Sequence, residues 1–297
     1  MSAASSPARL RGLGLIALAS ISWGTTGSVM TVLVSRASGT PLVIGATRML
    51  VGAVLLLIAA RAITGTLRPA PGEAWRCVAL GVCMGAFQAT YFTAVTRAGI
   101  AVTALVAICS APIMIATLAA VLLGERPTPR LTLVLMLGVI GTALLIAVPG
   151  TGVTGPRPLS GVMLALAAGL AYALYVVIAK AAVARTAPLP LAGITFGVAA
   201  VVLAPAFTLP GAARQLALGW VGLLYLGAVT TAAAYAMYTA GLRAVSASAA
   251  GVASLLEPLT ATLLGVILFG EQLGVAGWAG AVLLLIALLL LAIAERR

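Results

Sequence analysis

Histidine and aspartate are absent from the 297 residues, and lysine occurs once, at Lys180. Without histidine there is no His-based zinc site and no Ser-His-Asp relay, and without aspartate there is no aspartyl proteolysis. A Ser-Lys dyad would need Lys180 beside a serine, but Lys180 stands near the end of an apolar run, where a lysine head group snorkels to the interface. An intramembrane enzyme is therefore the disfavoured alternative, and no metal or organic cofactor is expected. Charged residues are only 7% of the chain, against about 25% in soluble domains, which excludes an ordinary soluble fold. The three cysteines, Cys77, Cys83 and Cys109, all lie inside apolar stretches. They read as small packed hydrophobes, not as a disulfide framework.

Apolar surface is what the chain has in excess, with 63% hydrophobic residues and a mean hydropathy of +1.22. Runs of about 20 apolar residues recur, each long enough to cross a hydrocarbon core of about 30 Å. Punctuated by Pro, Gly and Arg, they fall near Leu13–Val34, Leu42–Ala60, Trp75–Val95, Ala101–Leu123, Leu131–Val148, Leu159–Ala182, Leu191–Leu209, Leu218–Leu242, Ala247–Phe269 and Val275–Ala294. The expected fold is an all-α membrane protein of about ten spans around a central cavity. Arg9 and Arg11 ahead of the first run resemble a signal peptide, but the run is too long for a cleaved apolar core and reads as the first span. Connections around Pro149–Pro158 and Pro210–Ala217 are too short to hold a soluble domain, so function is expected within the bilayer.

The formal net charge of +12 comes from arginines placed singly or in pairs at span ends, a pattern of topology and not of a nucleic-acid surface. Arg9, Arg11, Arg61, Arg68, Arg76, Arg126, Arg130, Arg185, Arg243, Arg296 and Arg297 fall on one side, against Arg36, Arg97, Arg157 and Arg214 on the other. The positive-inside bias then makes both termini cytoplasmic, in a bacterial-type inner membrane.

The sequence also repeats. An offset of 146 residues (125 to 271) sets Gly124-Glu125 over Gly270-Glu271, Pro112 over Pro258, Arg97-Ala98 over Arg243-Ala244 and Thr93-Ala94 over Thr239-Ala240, without a gap. An offset of 149 (36 to 185) sets Leu10-Arg11-Gly12 over Leu159-Ser160-Gly161, Trp23 over Tyr172, Arg36 over Arg185 and Pro41-Leu42 over Pro190-Leu191. Residues 1–149 and 150–297 thus read as two repeats of five spans. An odd number of spans per repeat inverts the second half about an axis in the membrane plane. Glu257 stands where the first half has Ala111, and Arg48 where the second half has Gly197, so the polar groups have diverged between the halves.

Trp23-Gly24, Pro112 with Gly124-Glu125, Ala171-Tyr172-Ala173-Leu174-Tyr175, and Glu257-Pro258 with Gly270-Glu271 resemble the drug/metabolite transporter superfamily, in its ten-helix EamA-type branch, over nearly the whole chain. The resemblance implies alternating access, with a cavity between spans one, three, four, six, eight and nine. It further implies export of small metabolites, nearest to exporters of aromatic and other largely apolar amino acids. Expected partners are a small-molecule substrate, the lipid bilayer and, if export is coupled, protons; a functional monomer is the simpler expectation. A lipid flippase or scramblase of the same architecture is the alternative.

The prolines Pro112 and Pro258 each remove a backbone hydrogen bond, at about 3 kcal/mol in an ordinary helix. As repeat mates they are hinge candidates, with a static packing kink as the plain reading. Glu257 is the deepest acid, and an acid at that depth costs about 2.5–3.5 kcal/mol on insertion scales unless it faces a cavity or partner. It can serve as a proton site for coupling, a ligand for a substrate ammonium, or a carboxyl bonded between helices. Arg48 can bind a substrate carboxylate, pair with Glu257 or snorkel, the last two being favoured, and Lys180 is a minor site candidate whose leading reading is interface snorkelling. Trp23, Gln88, Tyr91, Tyr172, Tyr175, Tyr235 and Tyr238 are cavity candidates, each about as well explained by packing. Ser110, Ser254 and Thr260 read as helix-packing hydroxyls, and Gly81, Gly85, Gly277 and Ala281 as close-packing faces.

Overall fold

The computed structural model describes residues 6–37, 40–126, 128–146 and 157–296. Val148, the 149/150 boundary between the two expected halves, most of the Pro149–Pro158 connection and Arg297 lie outside the described residues, as does the side chain of Arg36. The described residues form α1 (Ser6–Gly24), α2 (Thr26–Ala37), α3 (Pro41–Thr64), α4 (Ala74–Ala98), α5 (Ile100–Leu123), α6 (Pro129–Ile146), α7 (Pro158–Ala182), α8 (Pro188–Leu203), α9 (Ala212–Gly227), α10 (Ala234–Leu242), α11 (Ala247–Ala253), α12 (Leu256–Phe269) and α13 (Val275–Arg296). A 3-10 turn, Ala204–Thr208, extends α8, and a π-helical segment, Ala228–Ala233, joins α9 to α10.

These helices group into ten stretches long and apolar enough to cross a membrane. Four of the helices begin on proline, whose missing N–H costs nothing in a first turn. The fourth and ninth spans end alike. Gly124 and Gly270 each sit at φ 68°, and the following Glu125 and Glu271 donate their backbone N–H to Ala119 O at 3.1 Å and Gly265 O at 3.2 Å. That is a glycine-terminated helix end in which the left-handed residue satisfies carbonyls of the last turn.

Three spans are interrupted. Span one turns at Thr25, whose N–H and hydroxyl both reach Ser22 O. Span nine breaks between α11 and α12, because Pro258 has no N–H for Ser254 O and that carbonyl accepts instead from Glu257 N at 3.0 Å. Span eight widens through Ala228–Ala233. Pro112, the repeat mate of Pro258, sits inside the continuous helix α5.

Both ends of the bundle are marked by bonds between connections. At one end, here the terminal end, Ser6 Oγ donates to Arg296 O at 2.5 Å, Arg185 lies 3.5 Å from Glu73, Arg243 Nε donates to Val183 O, and Glu125 reaches Ala247. At the distal end Thr40 N donates to Gln215 Oε1 at 3.0 Å and Arg157 N to Arg97 O at 3.2 Å. Most of the arginines therefore gather at the end that holds Ser6 and Arg296.

Helix packing pairs spans that precede residue 147 with spans that follow residue 156: α3 with α8, α6 with α13, α4 with α7, and α1 with α10. Close approaches explain several small residues. A Cβ on Gly12 would meet the Ala244 Cβ at 2.8 Å, and one on Gly161 would collide with the Ala98 Cβ. Gly81 and Gly85 let α4 settle on Val198 and Val202 of α8. Large apolar side chains such as Ile58, Val121, Val201, Ile267 and Leu289 remain exposed on the outside of the bundle, as a lipid-facing surface requires.

Candidate functional site

A cavity of about 320 Å³ lies inside the bundle, within the usual size range of small-molecule sites. Its lining comes from the three interrupted spans and from their neighbours. It includes Ile100, the first residue of α5, and Ile146, the last of α6, so the cavity reaches the distal end. Its deepest lining towards the terminal end is at Met84, Ile115 and Gly251. Beyond that level the bundle is closed by the Glu125 carboxylate. Oε1 accepts from Ala247 N at 2.8 Å, and Oε2 from Ser248 N at 3.2 Å and Ser248 Oγ at 2.9 Å.

Most of the wall is aromatic and apolar. Trp23, at the end of α1, packs on Tyr235 with ring centroids 4.8 Å apart and on Tyr238 at 5.2 Å. Phe87 bridges Tyr91 and Tyr172, each at 5.7 Å. Such tilted contacts add packing energy beyond area and hold the rings in fixed orientations. Trp23, Gln88, Tyr91, Tyr172, Tyr235, Glu257, Pro112 and Pro258 all line the cavity.

Tyr175 and Tyr238 do not; they lie behind the wall, 1% and 0% exposed, against the Tyr235 ring. Each is three residues from a lining tyrosine and touches its ring, so neighbours on one helix face divide between the cavity wall and the helix interface behind it. Lys180 is also elsewhere. Its ammonium donates to Leu242 O at 2.7 Å and Val245 O at 2.6 Å, tying α7 to the turn between α10 and α11.

Arg48 departs from the snorkelling or pairing favoured by its sequence position. It is 8% exposed, lines the cavity, and makes no ion pair among the described residues. Its Nε donates to Thr231 Oγ1 at 3.1 Å and its Nη2 to Thr230 O at 3.3 Å, both in the π-helical segment. Span two thus joins the set of cavity spans that the family resemblance implied. Thr230-Thr231, two adjacent hydroxyls in an otherwise apolar run, was the sequence signal for this anchor.

Several polar groups have nothing to bind. Among the described residues the Glu257 carboxylate makes no hydrogen bond or ion pair, and Trp23 Nε1, Gln88 Nε2 and Thr26 Oγ1 are buried without a partner. Buried donors and acceptors left open in this way are costly unless a ligand or water satisfies them. Ser110, Ser254 and Thr260, in contrast, turn their hydroxyls back onto Ala107 O, Ala250 O and Leu256 O of their own helices. Among the described residues no cluster of metal-ligating side chains occurs.

Comparison with known proteins agrees with this architecture. A family model described as the EamA-like transporter family matches residues 10–147 and again residues 159–293. The uncharacterized transporter YwfM of Bacillus subtilis (strain 168) is 37% identical over 290 residues, covering 95% of this chain and 94% of that protein. An uncharacterized transporter of Archaeoglobus fulgidus is 30% identical over 202 residues, covering 68% of this chain and 70% of that protein. A solved crystal structure matches with a TM-score of 0.78 over 99% of each chain, at 22% identity, and so shares the fold. With a family match on either side of the middle connection and a near full-length relative that is a transporter, this chain belongs to the EamA-like transporter family of the drug/metabolite transporter superfamily.

Proposed function

We propose that this transporter exports small amphiphilic metabolites across the inner membrane by alternating access, with aromatic and other largely apolar amino acids as its substrates. The observation that carries this reading is the cavity itself: an aromatic wall, a few open polar groups and access to one end of the bundle only. Apolar pockets with sparse polar handles suit amphiphilic ligands. The arginine bias makes the terminal end cytoplasmic, so the cavity faces outward and the Glu125 bonds close the inner side. Export is the direction that the family resemblance implies.

Alternation rests on two inverted halves, 1–149 and 150–297. Repeat-equivalent contacts support that relation: Gly12 against Ala244 in one place, Gly161 against Ala98 in the other. In the alternate state Glu271 takes the role of Glu125, bonding the start of α5 and closing the outer side. Pro258, beside the break in span nine, is the main hinge and Pro112 the lesser one.

Counterflow of radiolabelled L-tryptophan and L-leucine in liposomes containing the purified protein, with and without an imposed proton gradient, tests this. Saturable counterflow without movement of a fluorescent lipid probe is expected. Lipid movement without amino acid counterflow would replace the reading by a flippase, and dependence on the proton gradient would assign coupling.

A further inference from the structure

Arg48 and Glu257 are the only charged side chains that line the cavity among the described residues, and they do not pair with each other. Two opposite charges in one low-dielectric space would normally collapse together. Arg48 is prevented from doing so by its anchor. At the end of the π-helical segment Ala234 N is shared between Thr231 O and Val229 O, where an α-helix would have it reach Thr230 O. That leaves a lone pair on Thr230 O for Arg48 Nη2. Thr231 commits its own hydroxyl proton to Leu226 O at 2.9 Å, so its oxygen can only accept, and it accepts from Arg48 Nε. A π-bulge at a functional site is a recurrent device, and here it holds a guanidinium in one orientation.

The anchor uses Nε and one proton of Nη2. Nη1 has no partner among the described residues, so an Nη1–Nη2 fork remains, the geometry that binds a carboxylate through two parallel hydrogen bonds. Gln88 Nε2 lies 3.2 Å from where a Cβ would stand on Gly45, one turn from Arg48 on α3. It is an unsatisfied donor on a side chain 3% exposed, and Trp23 Nε1 is another at 5%. The open donors of the cavity therefore call for an anion, while the open Glu257 carboxylate calls for a cation.

We propose that Arg48, with Gln88 and Trp23, receives the carboxylate of an α-amino acid zwitterion, and that Glu257 receives its ammonium. This deepens the amino acid reading above and rests on it. The aromatic wall takes the apolar side chain. A zwitterion brings no net charge into a site whose own two charges cancel. A ligand lacking either end leaves one protein charge buried and unmatched, which is what makes single-partner truncations expensive.

The test is competition binding to the full-length purified protein, with L-tryptophan, tryptamine, which lacks the carboxylate, and indole-3-propionate, which lacks the ammonium. The wild type is expected to prefer tryptophan to either analogue by about 30-fold or more. Arg48→Gln should bring tryptamine level with tryptophan or above it, and Glu257→Gln should do the same for indole-3-propionate. Arg48→Lys keeps the charge but not the fork, so it should retain the order of preference with weaker binding. A wild type that binds none of the three overturns the amino acid reading, and this assignment with it. A wild type that binds tryptophan, with an unchanged preference in folded Arg48→Gln and Glu257→Gln, leaves that reading standing and overturns the assignment. Unfolding temperatures of each variant identify misfolding, and Arg48→Lys, the more conservative change, then decides: loss of the order of preference in it overturns the proposal.

Discussion

Glu125 and Glu271 begin as the same local structure and end as different ones. Each follows a glycine at φ 68° and each closes its helix by the same backbone bond. Beyond the backbone, Glu125 crosses to α11 and accepts three hydrogen bonds there, whereas Glu271 folds back over Gly265 of its own helix. One residue explains the choice. The repeat mate of Gly265 is Ala119, whose Cβ occupies the place where the Glu271 carboxylate rests; on Gly265 a Cβ would collide with Glu271 Oε2. A local motif therefore sets how a helix ends, and the surface beside it decides which neighbour the acid holds. The cavity reaches the end where the acid holds none.

The largest effect is expected from breaking the engaged side. Glu125→Ala leaves two backbone N–H groups of α11 without their acceptor, a loss of about 1.5–3 kcal/mol from the closed terminal end. Transport should fall about tenfold or more, and a cysteine placed at Ile115 should gain reactivity towards a thiol reagent applied from the side of the terminal end. Glu125→Gln, which keeps one accepting oxygen, should fall between wild type and Glu125→Ala.

Next comes the unengaged side. Glu271→Ala removes no side-chain hydrogen bond among the described residues, so the unfolding temperature should stay within about 1 °C of wild type, corresponding to less than about 0.5 kcal/mol. Transport should nevertheless fall several-fold, because the proposed alternate state loses its closure. Equal transport in Glu271→Ala and wild type would break the proposed equivalence of the two acids.

The prolines give a smaller contrast. Pro258→Ala restores an N–H for Ser254 O beside the break in span nine, and the turnover rate should drop about threefold to tenfold. Pro112→Ala, inside a continuous helix, should change it less. Gly265→Ala sharpens the comparison at the least cost, since only the far end of Glu271 must move. It should raise the exposure of Glu271 and shift the resting population towards the state closed at the distal end by about twofold to fivefold, read from cysteine labelling at Ala104.

How legible this was depended on what the residues punctuate. Pro and Gly mark helix ends chemically, so spans such as Ala247–Phe269 and Val275–Ala294 could be read almost to the residue. The breaks inside spans were less visible. Pro258 announces a disturbance, but Thr25 and the π-helical Ala228–Ala233 carry no residue that forbids an α-helix, and they arise from packing against neighbours. Rotation was the other hidden variable. Span two is apolar on all sides, so nothing in its sequence turns Arg48 towards the cavity instead of the interface. The same ambiguity separates lining Tyr172 and Tyr235 from buried Tyr175 and Tyr238.

The central claim is that the two ends of one cavity open and close in alternation. Pulsed electron spin distance measurements test it most directly, with one label pair at Thr128 and Arg243 on the terminal end and another at Ile100 and Gln272 on the distal end. The natural cysteines Cys77, Cys83 and Cys109 are first replaced by alanine. Addition of a transported amino acid should shorten the distal distance and lengthen the terminal one in the same fraction of molecules. Distances that move together, or that stay fixed while transport proceeds, would contradict it.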